Sequence, residues 1–302
     1  MHKKWYISLV IAATAFFQFN CAGCGGDEGH LEYHEEDNIV VNDVNFDSQA
    51  MNDIISSFSS PVEMAAMIQS SEVPFSQRYL IDPEVVKDYS TSFKKALGLG
   101  FLSADLGYLN VYSKTSLIID YLVQIRSLSE DLNVGQFFDF QLLKRLATSD
   151  DNIDSLLIMS VQSYQKMDEH LRNNQRSNLS ALLVTGVWVE SLYLITQVSK
   201  DQYSDDFKDR IGEQKTILNQ LLPILKLFHG KDFDQLVQNL EELKDVFDFV
   251  KISYEVGEPE TKTINGSLVV VQNDRSIITM SKEELQEIIS TTEKVRNKLI
   301  HL

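Results

Sequence analysis

The segment YSTSFKKALGLGFLSADLGYLNVY, residues 89–112, predicts an apolar helix, and a segment of similar texture, NLSALLVTGVWVESLYLITQ, follows at residues 178–197. The first segment contains three glycines, although glycine inside a helix costs about 1 kcal/mol relative to alanine. Small residues on one helical face allow a neighbouring helix to approach closely, and we expect such a contact here. A helix broken at residues 98–100 is the alternative. The predicted small-residue face consists of Gly100, Ala104 and Gly107.

Each predicted helix also contains one carboxylate among aromatic side chains. Such a carboxylate either accepts hydrogen bonds or has a raised pKa, because burying an unpaired charge is costly. Two interpretations stay open: a tyrosine–carboxylate hydrogen bond that fixes the helix pair, or a ligand pocket between the two helices. The candidate ligand-binding residues are Asp105, Tyr108 and Tyr112 of the first helix and Trp188, Glu190 and Tyr193 of the second.

The amino terminus, MHKKWYISLVIAATAFFQFNCAGCGG, is typical of a secretory signal, with two lysines before an apolar run. Ala22-Gly23-Cys24 resembles the end of a bacterial lipobox. We therefore predict removal of residues 1–23 and lipidation of Cys24, which would hold the protein at a membrane. An ordinary signal peptide is the alternative. No other run of the sequence suggests a transmembrane segment.

Residues 24–57 are acidic and lack a helical period, which predicts a flexible tether. His30 and His34 lie there among carboxylates, but nothing in such a segment fixes a ligand geometry, and we predict no metal site. The whole chain has a net charge of −17. A strongly acidic chain repels phosphate backbones, so nucleic acid is not an expected partner.

Residues 58–302 predict a single helical domain. Apolar residues recur at helical spacing along most of it, through a helix expected at residues 231–251. Residues 262–280 are rich in β-branched side chains and predict a small β-hairpin. Ser281 and Glu284 then form the capping-box pattern that begins a last helix. The expected fold is an all-α bundle of about seven to nine helices with a β-hairpin before the C-terminal helix.

The sequence contains no HExxH motif and no glycine-rich loop suited to a phosphate, so we predict no catalytic residue, metal or cofactor. One arrangement would change this. If the two apolar helices face each other, Asp105 and Glu190 could form an acid/base pair. An enzyme with paired buried carboxylates is therefore kept as an alternative.

The ordered segments along residues 58–302 are similar to a family of helical lipoproteins from Bacteroidota. The resemblance implies a helical fold and a lipid-anchored outer-membrane protein on the periplasmic or cell-surface face, and it transfers no catalytic residue. We expect a binding or interaction module whose partner is an unknown protein or small molecule. A purely structural envelope protein is a further alternative. The resembling segments are SSPVEMAAMI, the two quoted above, DSLLIM and SKEELQEIISTTEKVRNKLI.

Overall fold

The computed structural model describes residues 61–141, 143, 153–257, 259–264, 267–271 and 275–302. The predicted signal peptide, Cys24 and tether lie outside these residues. The described helices are α1 Pro61–Ser70, α2 Ser92–Val111, α3 Thr115–Asp131, α4 Ile153–Asn173, α5 Ser177–Asp201, α6 Asp205–Leu225, α7 Lys231–Phe247 and α8 Lys282–Ile300. Short 3-10 turns lie at Gln77–Tyr79, Pro83–Asp88 and Gly135–Phe137, and the strands are β1 Lys251–Glu255, β2 Glu260–Ile264, β3 Ser267–Val271 and β4 Arg275–Thr279. The predicted helical bundle with a hairpin before the last helix is confirmed.

Helix α5 lies at the centre of the bundle. Residues 178–199 of this helix are all buried, because it contacts α1, α2, α4, α6 and α8. A helix that is apolar on every side needs such an enclosure. Its most extensive partner is α2, and the two are the helices that the sequence singled out.

The crossing of α2 and α5 brings backbone against backbone. A Cβ added at Gly100 would lie under 3.0 Å from backbone atoms of Leu183 and Val187, and one added at Gly186 would lie equally close to Leu97. Helix α2 runs unbroken through its glycines, so the alternative of a break at residues 98–100 is wrong. The expected close approach through Gly100 is confirmed.

Helix α5 is also long and apolar enough to cross a membrane by length and composition. The expectation that no run beyond the signal reaches this level was therefore wrong. Its apolar window is entirely buried inside the protein, and the core helix of a soluble protein satisfies the same criterion. The hydropathy of α5 follows from its central position.

The hairpin begins earlier than the sequence indicated. Helix α7 ends at Phe247, and Lys251, expected to be helical, is the first residue of β1. The ammonium of Lys215 donates to the carbonyl oxygens of Asp248 and Val250, which holds the chain where it leaves the helix. Strand β1 pairs antiparallel with β4, and β2 pairs antiparallel with β3. The capping box predicted at Ser281 and Glu284 is confirmed.

Candidate functional site

Asp105 of α2 has no exposed surface. Its Oδ2 accepts a hydrogen bond from the backbone N–H of Ile81 at 2.9 Å, and its Oδ1 has no described hydrogen-bond donor. Burial, together with the nearby carboxylate of Glu190, raises the pKa of Asp105 well above its usual range, against the opposing effect of Arg296. The protonated form of Asp105 carries no charge, and its burial beside the Glu190 carboxylate favours that form.

Glu190 of α5, also without exposed surface, forms a two-point ion pair with Arg296 of α8. Nε of Arg296 lies 2.9 Å from Oε2 of Glu190, and Nη2 lies 2.7 Å from Oε1. The guanidinium carbon lies 4.3 Å from the centre of the Tyr193 ring. Burial disfavours a charged arginine, but the adjacent Glu190 carboxylate outweighs it, so the pKa of Arg296 is raised.

Asp105, Glu190 and Arg296 together form what we call the buried cluster. With Asp105 protonated, the cluster contains one charged carboxylate and one charged guanidinium, so its net charge is zero. Loss of the Asp105 proton would leave a net negative charge in the interior, which low-dielectric surroundings oppose. The ion pair therefore joins α5 to α8, and Asp105 of α2 lies close to it.

Sequence reasoning found the two acids and missed Arg296. One signal was present: Arg296 falls on the apolar face of α8, four residues after Thr292 and three before Leu299, both buried. A lone charge in an apolar helical stripe indicates a buried partner. That partner is separated from it by 106 residues of sequence.

Tyr108 and Tyr112, which lie on the same helix as Asp105, form hydrogen bonds with other groups. The Tyr108 hydroxyl accepts a hydrogen bond from the backbone N–H of Ser76 at 3.1 Å, and the Tyr112 hydroxyl donates to the carbonyl of Val73 at 2.6 Å. The interpretation of a tyrosine–carboxylate hydrogen bond at Asp105 is therefore wrong. These tyrosines instead fix the segment that leads from α1 into the first 3-10 turn.

Trp188 also points away from the buried cluster. Its Nε1 donates to Oε1 of Gln214 on α6 at 3.1 Å, with the indole ring fully buried. Of the six candidate residues, the structure thus brings Asp105, Glu190 and Tyr193 around Arg296. Tyr108, Tyr112 and Trp188 serve other contacts, and the ligand-binding role proposed for the set stays a prediction.

A cleft of about 530 Å³ lies beside the buried cluster, between the segment that contains the first two 3-10 turns and helix α3. Its volume is within the range of small-molecule sites. None of the six candidate residues lines it, and no pattern in the sequence indicated a cleft at this place. The lining residues are Gln77, Leu80, Ile81, Asp82, Pro83, Glu84, Leu117, Asp120 and Tyr121.

Ile81 connects the cleft to the buried cluster. Its N–H donates to Asp105, and its carbonyl accepts a hydrogen bond from the buried hydroxyl of Tyr121. Burial raises the pKa of Tyr121, and the proximity of Asp105 and Glu190 raises it further, so the phenol keeps its proton as the donor. Both backbone groups of this cleft residue are therefore held by buried side chains.

The described residues contain no group of three or more histidine, cysteine, aspartate or glutamate side chains suited to a metal ion. Comparison of the chain with models of protein families, with curated proteins and with solved structures gives no match. The chain's own residues are therefore the basis for a functional proposal.

Proposed function

We propose that this protein is a lipid-anchored helical module of the cell envelope that binds a ligand or partner through its folded domain. The anchor is Cys24, which follows a charged and then apolar leader and the residues Ala22-Gly23. Location at the outer membrane, on the periplasmic or cell-surface face, is part of the proposal and rests on the resemblance to Bacteroidota lipoproteins.

Binding is favoured over catalysis by one observation: the open space lies at the cleft, while the two carboxylates lie in the interior with partners of their own. Asp105 accepts a hydrogen bond from the N–H of Ile81, and Glu190 pairs with Arg296. Groups used in this way hold helices together, whereas a general acid needs to reach its substrate within hydrogen-bond distance. The cleft, by contrast, has the volume of a small-molecule site.

The anchor is tested by mass spectrometry of the mature protein purified from envelope membranes. The expected product begins at Cys24 and has a lipid on its sulfur. Cys24→Ala should abolish the lipid and release the protein from membranes, while the matched control Cys21→Ala should retain both. A mature chain with an unmodified Cys24 would remove the anchor from the proposal.

The binding role is tested with a fragment library of cationic, neutral and anionic members, screened by ligand-observed NMR. Leu117 is half-buried in the cleft wall, and Leu117→Trp should fill part of the space. Fragments that bind the original protein and lose binding in Leu117→Trp support a site at the cleft. If no fragment shows this difference, the binding role fails.

A purely structural envelope role is the second candidate. The buried cluster favours it, because a buried ion pair between two helices, with a protonated acid of a third helix beside it, specifies their packing without any ligand. A purely structural role predicts that no fragment binds in the screen and that substitution of Arg296 strongly destabilises the protein.

A further inference from the structure

We propose that the cleft beside Tyr121 binds a small organic cation, an amine or guanidinium group attached to an apolar body. This inference deepens the binding role proposed above and rests on it. Four observations support it: the shape of the cleft, the sign of the charges that line it, the lack of ion pairs at two of its carboxylates among the described residues, and the hydrogen bonds that hold its wall.

Part of the wall of the cleft is apolar and favours a ligand with an apolar body. It is formed by chain segments on two sides, the extended stretch ahead of the second 3-10 turn and the first turns of α3. Buried Ile81 and Tyr121 lie at the inner side, and three half-buried side chains extend the surface outward. Those three are Leu80, Pro83 and Leu117.

The charged part of the lining is of one sign. Asp82, Glu84 and Asp120 are acidic, and the lining contains no lysine, arginine or histidine. Sites lined by one sign of charge concentrate ligands of the opposite sign. The net charge of −17 on the whole chain adds to the repulsion of anionic ligands.

The three acids are not equally available. Glu84 already has a partner at each oxygen: Nε2 of Gln124 donates to Oε1 at 3.0 Å, and the ammonium of Lys87 pairs with Oε2. Asp82 uses Oδ1 to cap the second 3-10 turn, accepting the N–H of Glu84 at 3.0 Å. Glu84 is therefore neutralised locally, and no described residue forms a hydrogen bond with the second carboxylate oxygen of Asp82.

Asp120 is the most available acid of the three. Its side chain is exposed on α3, and in the described part of the chain it forms no ion pair or hydrogen bond. Asp82 likewise forms no ion pair there. Asp82 and Asp120 thus place two carboxylates without a described ion pair beside the apolar part of the wall. Such a site suits a ligand with one cationic group and an apolar body.

The inner wall is also organised before any ligand arrives. Ile81 is held through its N–H by Asp105 and through its carbonyl by Tyr121. A preformed wall loses less conformational entropy on binding than a mobile one. The buried cluster thus supports the cleft from behind.

The test compares two probes of the same shape, 4-phenylbutylamine and 4-phenylbutan-1-ol, by isothermal titration calorimetry at fixed ionic strength. We expect saturable binding of the amine, with the alcohol weaker by roughly fivefold or more, the ratio for one partly exposed ion pair. Asp120→Asn and Asp82→Asn should each lower the affinity for the amine and leave the affinity for the alcohol unchanged. Asparagine also caps helical turns, so Asp82→Asn keeps the Glu84 contact.

The matched control is Asp245→Asn, which removes the same charge from an exposed position on α7. It should leave amine affinity unchanged. Equal affinity for amine and alcohol, an equal loss in Asp245→Asn, or amine binding that survives Leu117→Trp would each overturn the inference. If neutral fragments bind at the cleft and amines do not, the binding role stands and the inference falls. If no fragment of any charge binds, both fall.

Discussion

Arg296 of α8 contacts both carboxylate oxygens of Glu190 on α5, at 2.7 and 2.9 Å, in a place where Glu190 has no exposed surface. An ion pair in such a place adds little net stability compared with well-packed apolar side chains, because both charges lose their hydration. Removal of one partner alone lowers the stability strongly, since the other charge is then left buried without an opposite charge. This asymmetry gives the first prediction.

Arg296→Met should destabilise the protein by about 3–5 kcal/mol, the usual cost of breaking a buried ion pair from one side. The measurement is the free energy of unfolding in urea. The double variant Glu190→Met with Arg296→Met should recover much of the loss, because no unpaired charge remains. Arg126→Met, at an exposed ion pair with Glu130, is the control and should change little. Equal losses at Arg296 and Arg126 would contradict the assignment of a buried pair.

Asp105 makes the stability of the protein depend on pH. Its folded-state pKa is raised, chiefly by burial and next by Glu190, and the other groups that face it are Arg296 and the Ile81 amide. The stabilisation is fully present below the unfolded pKa, near 3.8, and is lost as pH rises through the folded pKa. The slope inside this window approaches about 1.4 kcal/mol per pH unit.

Asp105→Asn mimics the protonated acid, since its amide is neutral and keeps hydrogen-bond donors at every pH. We expect this variant to lack that slope, so that it becomes more stable than the original protein as pH rises above 4. Urea unfolding between pH 4 and pH 8 measures the effect, and Asp245→Asn should keep the original slope. An unchanged slope in Asp105→Asn would mean that Asp105 titrates normally in the folded state.

The crossing of α2 and α5 predicts a steric result. Gly100→Ala or Gly186→Ala forces a methyl group into backbone atoms of the facing helix, which cannot rotate away as a side chain does. Overpacking of this kind costs about 1–3 kcal/mol or more. Gly135→Ala is the control, because its added Cβ meets its nearest atoms at 3.4 Å or beyond, an ordinary contact. Thermal unfolding of the three variants measures the difference, and similar midpoints would mean that the helices can separate freely.

The sequence predicted a close helix contact at Gly100 because the signals for it are local. Glycines in an apolar helix, and a second apolar helix with a glycine of its own, are readable without any knowledge of the rest of the chain. The burial of Asp105 and Glu190 followed from the same neighbourhoods. The identity of their partners could not be predicted, because Ile81 and Arg296 belong to elements that are distant in sequence. A helical period does not indicate which helices will be neighbours.

The cleft was missed for a related reason. It exists only where an irregular segment that includes Pro83 lies over the first turns of α3. Periodicity in the sequence indicates helices and strands, but it does not indicate the space between a loop and a helix. The same limit explains the hairpin, where the strand composition of residues 262–280 was recognised, but β1 was not, and its first residue, Lys251, was assigned to the preceding helix.

Tyr121→Phe should weaken the link between the cleft and the buried cluster without creating a cavity. The carbonyl of Ile81 loses a buried donor, at a cost of about 1–3 kcal/mol for an unsatisfied group. Because Asp105 still holds the Ile81 N–H, we expect local opening rather than global rearrangement, visible as faster hydrogen exchange at the Ile81 amide. Tyr203→Phe, which removes an exposed hydroxyl bonded to Asp205, should leave that amide unaffected. Unchanged exchange at Ile81 in Tyr121→Phe would mean that Asp105 alone fixes this wall.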